Sequence, residues 1–305
     1  MMDLSVAILM LAGGCVFAVA LGMRIGQLSP GRSLSFQVMG VALMLGYLLF
    51  LWNRPVLTHL LPGSNLIILA NWLPLWACYF VGVYLVGQKV SVLRRTVLAS
   101  IAVCFCGYSI VAPTLGQSPV CQTTSHRYFQ HQTTPYTCSA ACAVSLLQLH
   151  GISASESEMA SLSLTREGTH WMGLYRGLKI KTEGTGWDVV AEPLDIAKLR
   201  SHSHQPCVMS LKLDITQFPE HVDHGFRDDC GHSVLYLGSK APGRITVFDP
   251  SPDYGVEQWD DSVIDCVEDG VVLRLVPVDL NNPKTLHVSR RLAVAMLNGR
   301  MTAQL

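Results

Sequence analysis

Four apolar runs, residues 4–23, 34–52, 66–86 and 96–116, fill the first part of this 305-residue chain, and none contains Asp, Glu, Lys or Arg. Crossing a bilayer as a helix takes about 20 such residues, because hydrocarbon offers a backbone N–H or C=O no partner outside its own segment. Each run has about that length. A competing reading is a cleaved signal peptide followed by buried core helices. It needs a basic region ahead of the first run, where only Asp3 stands, and a signal peptide has a basic start. The sequence therefore predicts an all-α region of four transmembrane helices within residues 1–116. Asn71 and Pro74 interrupt the third run and predict a kink or a polar contact between helices. Trp52 fits the membrane interface, while Trp72, Trp76, Tyr79 and Tyr84 read as packing residues.

Charge divides the chain at the same place. Residues 1–120 hold one acid, Asp3, against six bases, Arg24, Arg32, Arg54, Lys89, Arg94 and Arg95, which leaves 21 acids and 16 bases for the remainder. The net charge of +0 thus hides a basic part and an acidic part. No basic patch of the kind nucleic acid requires is present, so that class of partner is excluded. The absence of charge within the apolar runs argues against a transporter or proton pump. Arg24 and Arg32 in the first connection, with Lys89, Arg94 and Arg95 in the third, outnumber Arg54 and Arg127 on the opposite side. The positive-inside rule makes the five-base side cytoplasmic. The expectation is a multi-pass protein of the cell membrane, with everything after about residue 116 on the extracytoplasmic side.

Residues 117–135, rich in Gln, Thr, Ser and Pro, read as a linker. Thr137 can then cap a helix from Cys138 to about His150, ended by Gly151. Short helices follow near 156–162 and after Gly168-Thr169, then a short strand at Val189-Val190 and a helix over 195–201. Strand patterns begin at Cys207, His232, Arg244 and Val271. Helices first and an antiparallel sheet later is an α+β arrangement. His232 opens one strand and Asp249 closes the next, with a turn at Lys240-Ala241-Pro242-Gly243 between them, so one hairpin brings the two side by side.

The chemistry-bearing stretch is Gln132-Thr-Thr-Pro-Tyr-Thr-Cys138-Ser-Ala-Ala-Cys142. A Cys in the first turn of a helix faces the positive end of the helix dipole, which favours its thiolate. An imidazole within reach holds that thiolate and later protonates the leaving group, and an acid fixes the imidazole's tautomer and stabilises its cation. The candidate catalytic residues are therefore Cys138 as nucleophile, His232 as general base, Asp249 as its orienter and Gln132 as side-chain donor to the oxyanion. The order Cys, His, Asp is that of papain-like thiol hydrolases. Cys138 as a plain buried Cys and Asp249-Pro250 as a plain turn are the bland alternatives.

On Gln132 six residues before Cys138, Ala140 and Ala141 after it, His150-Gly151, Gly168-Thr169, Gly231-His232-Ser-Val and Phe248-Asp249-Pro250, residues of about 125–278 resemble a C39-type cysteine peptidase domain. The resemblance implies a papain-like fold, cleavage of a peptide or protein substrate, and the same four residue roles. Members of that family often cleave after a double-glycine leader, and many are fused to peptide-exporting ABC transporters. This chain carries no P-loop motif, hence no ATPase domain. Ser139 stands where a Gly is common, and the apolar region precedes the domain. Two other functions use the same residues: a non-catalytic peptide-binding or sensor module, and a transglutaminase-like acyl transferase.

No cofactor or metal is expected. The cluster His221, His224, Asp228, Asp229, Cys230 and His232 invites a zinc reading, but its spacing matches no standard site. Cys121, Cys142, Cys207, Cys230 and Cys266 allow one or two disulfides in an extracytoplasmic domain, with pairings that sequence leaves open. Cys142 lies one helical turn from Cys138 and is read as packing or as a reversible disulfide partner. Residues 279–305 form a tail with a short basic amphipathic stretch near Arg290.

Overall fold

The chain divides into two compact units, Met1–Leu115 and Gly116–Leu305. The computed structural model describes residues 2–87, 91–122, 129–201, 205–213, 231–241 and 243–278. The tail after residue 278, Arg127, Lys89, Cys230 and the His221–Asp229 part of the suspected zinc cluster lie outside the described residues.

The first unit holds α1 (Met2–Gly26), α2 (Pro30–Phe50), the single turns α3 (Leu57–Leu60) and α4 (Leu66–Leu69), α5 (Leu73–Gly87) and α6 (Val92–Val111). Four spans, Met2–Gly26, Pro30–Phe50, Leu66–Val86 and Val92–Thr114, are long and apolar enough to cross a membrane. Pro30 starts α2 at a position whose missing N–H would have had no helical partner. Ser91 caps α6 by accepting from the Arg94 N–H. The third span is broken between α4 and α5. The freed backbone there is satisfied from α2: the Tyr47 hydroxyl donates to Ala70 O at 2.6 Å and accepts the Trp72 N–H at 3.3 Å. The Tyr47 ring also stacks on Trp72, centroids 5.0 Å apart. Asn71 donates from Nδ2 to Ser109 O and Oγ on α6, at 3.1 and 2.9 Å. α1 and α5 approach so closely that a Cβ on Gly22 would sit 2.1 Å from Tyr79 O and one on Gly82 2.3 Å from Val19 O. Small residues at the contact are what let two apolar helices touch backbone to backbone.

The second unit is α+β. Its helices are α7 (Cys138–Leu149), α8 (Glu156–Leu162), α9 (Trp171–Thr182), α10 (Ile196–Ser201) and α11 (Asp261–Ile264). Its strands are β1 (Trp187–Pro193), β2 (Cys207–Leu213), β3 (His232–Ala241), β4 (Arg244–Phe248), β5 (Val256–Asp260) and β6 (Val267–Pro277). They form one antiparallel sheet in the order β1-β6-β2-β3-β4-β5. Strand β5 and helix α11 lack a sequence signal because β5 buries only Trp259 and so shows no apolar alternation.

α7 is buried on nearly every side, which its Ala140, Ala141, Ala143 and Val144 permit. It packs against β2 and β3 and against α8 and α9. Side chains alternate along β3. Val234 and Tyr236 join a core with Met209, Val247, Trp259 and Leu199 of α10. Ser233 and Leu235 point the other way, toward α7, and are also buried. A sheet covered on both faces explains why His-Ser-Val-Leu-Tyr-Leu reads as a nearly unbroken apolar run. Within the stretch expected as a linker, residues from Phe129 onward are part of this packing. Phe129 stacks on Phe248 with centroids 4.7 Å apart, and the Gln130 N–H donates to the Ser145 hydroxyl of α7 at 2.8 Å.

Candidate active site

Cys138 is the first residue of α7, half-buried. Thr137 stands at the N-cap but does not cap with its side chain; its hydroxyl donates instead to Thr134 O at 3.1 Å. The pairing Leu235↔Phe248 places His232, the first residue of β3, and Asp249, just past β4, at one end of their hairpin. His232 Nε2 and Asp249 Oδ2 are 3.0 Å apart. The other face of the imidazole hydrogen-bonds Cys138, so Nδ1 is the nitrogen that serves the thiol. Asp249 is nearly sealed from solvent, and its Oδ1 accepts the Ser251 N–H at 2.8 Å.

The three groups set each other's charge. Burial works against a thiolate at Cys138, but the hydrogen bond and charge of His232, the Ser233 N–H and the Ser139 hydroxyl outweigh it, and the thiol is held below its ordinary value. Burial likewise opposes the imidazolium, yet Asp249 and Cys138 push His232 up to about 10. Asp249 is kept below the usual carboxylate value, with burial opposed by His232 and Ser251. These directions favour a thiolate–imidazolium pair backed by a carboxylate. Cys142, by contrast, is pushed well up by burial and by its neighbour Cys138. Its thiol donates to Ser233 O at 3.3 Å, so only one of the two cysteines in this helix is an available nucleophile.

Gln132 is positioned by tertiary contacts alone. Its N–H donates to Pro250 O at 2.7 Å, one residue beyond Asp249. Next to it, His131 Nδ1 meets Ser251 O at 3.1 Å. On its other side, Thr133 is clamped by Glu156 at the start of α8, whose carboxylate accepts the Thr133 N–H at 2.8 Å and hydroxyl at 2.9 Å. Gln132 Oε1 is buried and has no hydrogen-bond partner. Turning the amide over exchanges Oε1 for the N–H donor an oxyanion needs. Cys138, His232 and Asp249 are thus joined by hydrogen bonds, and Gln132 is anchored beside the Asp249 turn.

Several contributors escaped sequence reasoning. Glu156 carries no local signal, being one of two acids in Glu156-Ser-Glu158-Met and the one that faces inward. Ser139 and Ser233 each follow a candidate catalytic residue, and their signal is a small hydroxyl in otherwise apolar surroundings. Ser251 is hidden by a turn. Cys121, Cys142, Cys207 and Cys266 are free thiols, so the described residues form no disulfide among these four. Among the described residues no group of three or more His, Cys, Asp or Glu is arranged to hold a metal ion.

No family model and no curated protein matches this chain. Solved structures do. It is similar to the peptidase domain of Streptococcus ComA, a bi-functional ABC transporter involved in a quorum-sensing pathway, at 17% identity over 50% of this chain and 99% of that one, TM-score 0.40. The peptidase domain of Streptococcus mutans ComA is similar at 16% identity over 49% of this chain and 99% of that one, TM-score 0.34. A double glycine motif protease from an AMS/PCAT transporter, solved in complex with its leader peptide, is similar at 15% identity over 52% of this chain and 100% of that one, TM-score 0.38. All three are peptidase domains of the C39 kind that the motifs resemble.

Proposed function

We propose that this protein is a membrane-anchored cysteine peptidase whose catalytic domain lies on the extracytoplasmic side of the cell membrane. The observation that carries the chemistry is the hydrogen-bonded series Cys138, His232, Asp249, with the charges each imposes on the others. The Cys138 thiolate attacks the carbonyl of a peptide bond. The oxyanion that forms is met by the Gln132 amide. Imidazolium Nδ1 of His232 gives its proton to the departing amine, which leaves a thioester on Cys138. His232, now neutral, takes a proton from water as it attacks the thioester, and the acid product leaves with the thiolate regenerated. Asp249 keeps the ring in the tautomer that presents Nδ1 to sulfur throughout. Anchoring rests on the four long apolar helices, and the side on the five bases of the first and third connections against two on the other face.

The test is alkylation of Cys138 by an iodoacetamide-type probe across pH, in wild type, Cys138→Ala and His232→Ala, with permeant and impermeant probes on intact and lysed cells. Labelling well below the usual thiol range, dependent on His232 and open to the impermeant probe in intact cells, is the expected result. A Cys138 that alkylates like an ordinary thiol refutes the enzyme and leaves the peptide-binding module. Labelling only after lysis refutes the placement. An amine cross-linked to the acyl group, in place of a free acid, would make the protein a transglutaminase-like transferase.

A further inference from the structure

The main chain is tied on both sides of the Gln132 Cα, and the second tie comes from α8, outside the elements that carry Cys138, His232 and Asp249. A peptide unit is planar, so at each residue the chain turns only about φ and ψ. The plane before the Gln132 Cα is fixed by its own N–H, which donates to Pro250 O at 2.7 Å. The plane after it is fixed by the Thr133 N–H, which donates to Glu156 Oε1 at 2.8 Å. With both planes tied, the direction in which the Gln132 side chain leaves the backbone is set. The first tie ends on a main-chain carbonyl. The second ends on a side chain, and a substitution can cut it.

The second tie is a fork. Glu156 Oε2 accepts the Thr133 hydroxyl at 2.9 Å. The Thr133 oxygen in turn accepts the Gln122 N–H at 3.0 Å, which leaves its own hydrogen for the carboxylate. Glu156 is 3% exposed, and a carboxylate that deep is costly unless hydrogen bonds replace its water. Helix capping does not explain it. Ser155 and Glu158 already cap α8 reciprocally: the Ser155 hydroxyl accepts the Glu158 N–H at 3.2 Å, and the Glu158 carboxylate accepts the Ser155 N–H at 3.4 Å. Glu158 does this from the surface. The inward acid two residues earlier serves the Gln132 segment instead.

We propose that Glu156 is a positioning residue for the peptidase reaction, which through Thr133 holds the Gln132 backbone so that the side-chain amide meets the oxyanion already in place. The proposal rests on the reading of Gln132 as the oxyanion donor. A donor fixed in advance needs no reorganisation as charge develops on the attacked carbonyl, and that is the source of its effect. A small misplacement of such a group lowers the rate even when the group itself is intact. The action of Glu156 falls on the oxyanion, whereas the thiolate is set by His232 and its neighbours. The two roles therefore separate in reactivity.

The experiment compares two reactions of Cys138 in the full-length chain in detergent. Iodoacetamide alkylates the thiolate at a saturated carbon, and no oxyanion forms. p-Nitrophenyl acetate acylates it through a tetrahedral oxyanion: the C–S bond forms, the ester C–O bond breaks, and p-nitrophenolate leaves with the electron pair. Both rates are corrected for the rate of Cys138→Ala. Gln132→Ala is expected to slow acylation about a hundredfold and Glu156→Gln about tenfold, each with wild-type alkylation across pH. Because Glu156 acts through Gln132, the double variant should acylate no slower than Gln132→Ala alone. Thr133→Ser keeps both donors of the fork and should acylate like wild type, while Thr133→Val loses the hydroxyl and should be slowed. Thermal melting in the same detergent shows which variants are folded, and Thr133→Val decides where Glu156→Gln is not. Wild-type acylation by the deciding variant, beside a slow Gln132→Ala, overturns the proposal and leaves the peptidase reading intact. So does a double variant in which the two losses multiply, or a Glu156→Gln in which alkylation falls together with acylation. If Gln132→Ala acylates like wild type, Gln132 is not the oxyanion donor and the proposal falls with that role. If Cys138→Ala consumes both probes as fast as wild type, the peptidase reading itself fails.

Discussion

Replacing Asp249 by Asn keeps the shape of the residue and deletes its charge, and the structure says how far that charge reaches. Oδ2 lies 3.0 Å from His232 Nε2 in a setting nearly closed to water. At an effective dielectric of about 20, unit charges at that separation attract by about 5 kcal/mol. Part of this is already offset by the cost of burying both groups, and an Asn that turns its carbonyl to Nε2 keeps the hydrogen bond. A net loss of about 2–3 kcal/mol corresponds to roughly two pH units at 1.36 kcal/mol each. His232, pushed up to about 10 in the native protein, should therefore titrate near 8 in Asp249→Asn, and the thiolate–imidazolium window should close from its alkaline side. The assay is an NMR titration of imidazole-labelled protein in detergent, with the His232 signal assigned by its loss in His232→Ala. The acid side gives an independent check. Asp249 has a depressed folded pKa, so its stabilising contribution is complete above the unfolded value of about 4 and is lost as pH falls through the folded one. Asp249→Asn should flatten the melting temperature against pH in that range. A His232 midpoint within half a unit of wild type would refute the electrostatic account of this site.

Three further outcomes follow from other parts of the molecule. Glu156→Gln loses the charge behind the clamp on Thr133, so hydrogen exchange at the Thr133 amide should quicken about ten- to hundredfold, from a charged bond worth about 1.5–3 kcal/mol; unchanged exchange would mean that Glu156 does not hold the Gln132 segment. Gly82→Leu drives a side chain into the Val19 carbonyl across α1 and α5 and should lower the detergent melting temperature and membrane yield sharply, whereas Gly13→Ala, with nothing within 4 Å of the new Cβ, should leave both unchanged. Tyr47→Phe removes the hydroxyl that bonds Ala70 O and the Trp72 N–H of the broken helix but leaves those two bonded to each other, and should destabilise by about 0.5–1.5 kcal/mol, read as a lower melting temperature with Cys138 alkylation unaffected.

How much of this was legible in the chain depends on the range of the interaction responsible. The spans of the first unit follow from continuous apolar length, a property of each segment alone, and they agree with the helices to within a few residues. The helix at Cys138 and the strands at Cys207, His232, Arg244 and Val271 are recorded locally, as short apolar runs bounded by cap and turn residues. The hairpin argument for His232 and Asp249 worked because a hairpin is local, and its ends meet once the strands pair. Strand β5 was invisible because an edge strand with one inward side chain has no period to read. Gln132 could be singled out only by spacing, since what anchors it is Pro250, a residue distant in sequence.

The sequence by itself determined where a bilayer-length helix can form, which residues can carry thiol chemistry, and the order in which they appear. Those depend on composition and on spacing of a few residues, so no partner segment is needed to decide them. Only the tertiary structure decided which hydroxyls meet between α7 and β3, which of two cysteines one turn apart is sealed in the core, which acid of α8 turns inward to hold the Gln132 segment, and how Tyr47 braces a broken helix. Each of these turns on an approach of a few ångströms between residues between 23 and 94 positions apart. Such approaches are set by the packing of whole elements, and the local pattern of either segment does not record them.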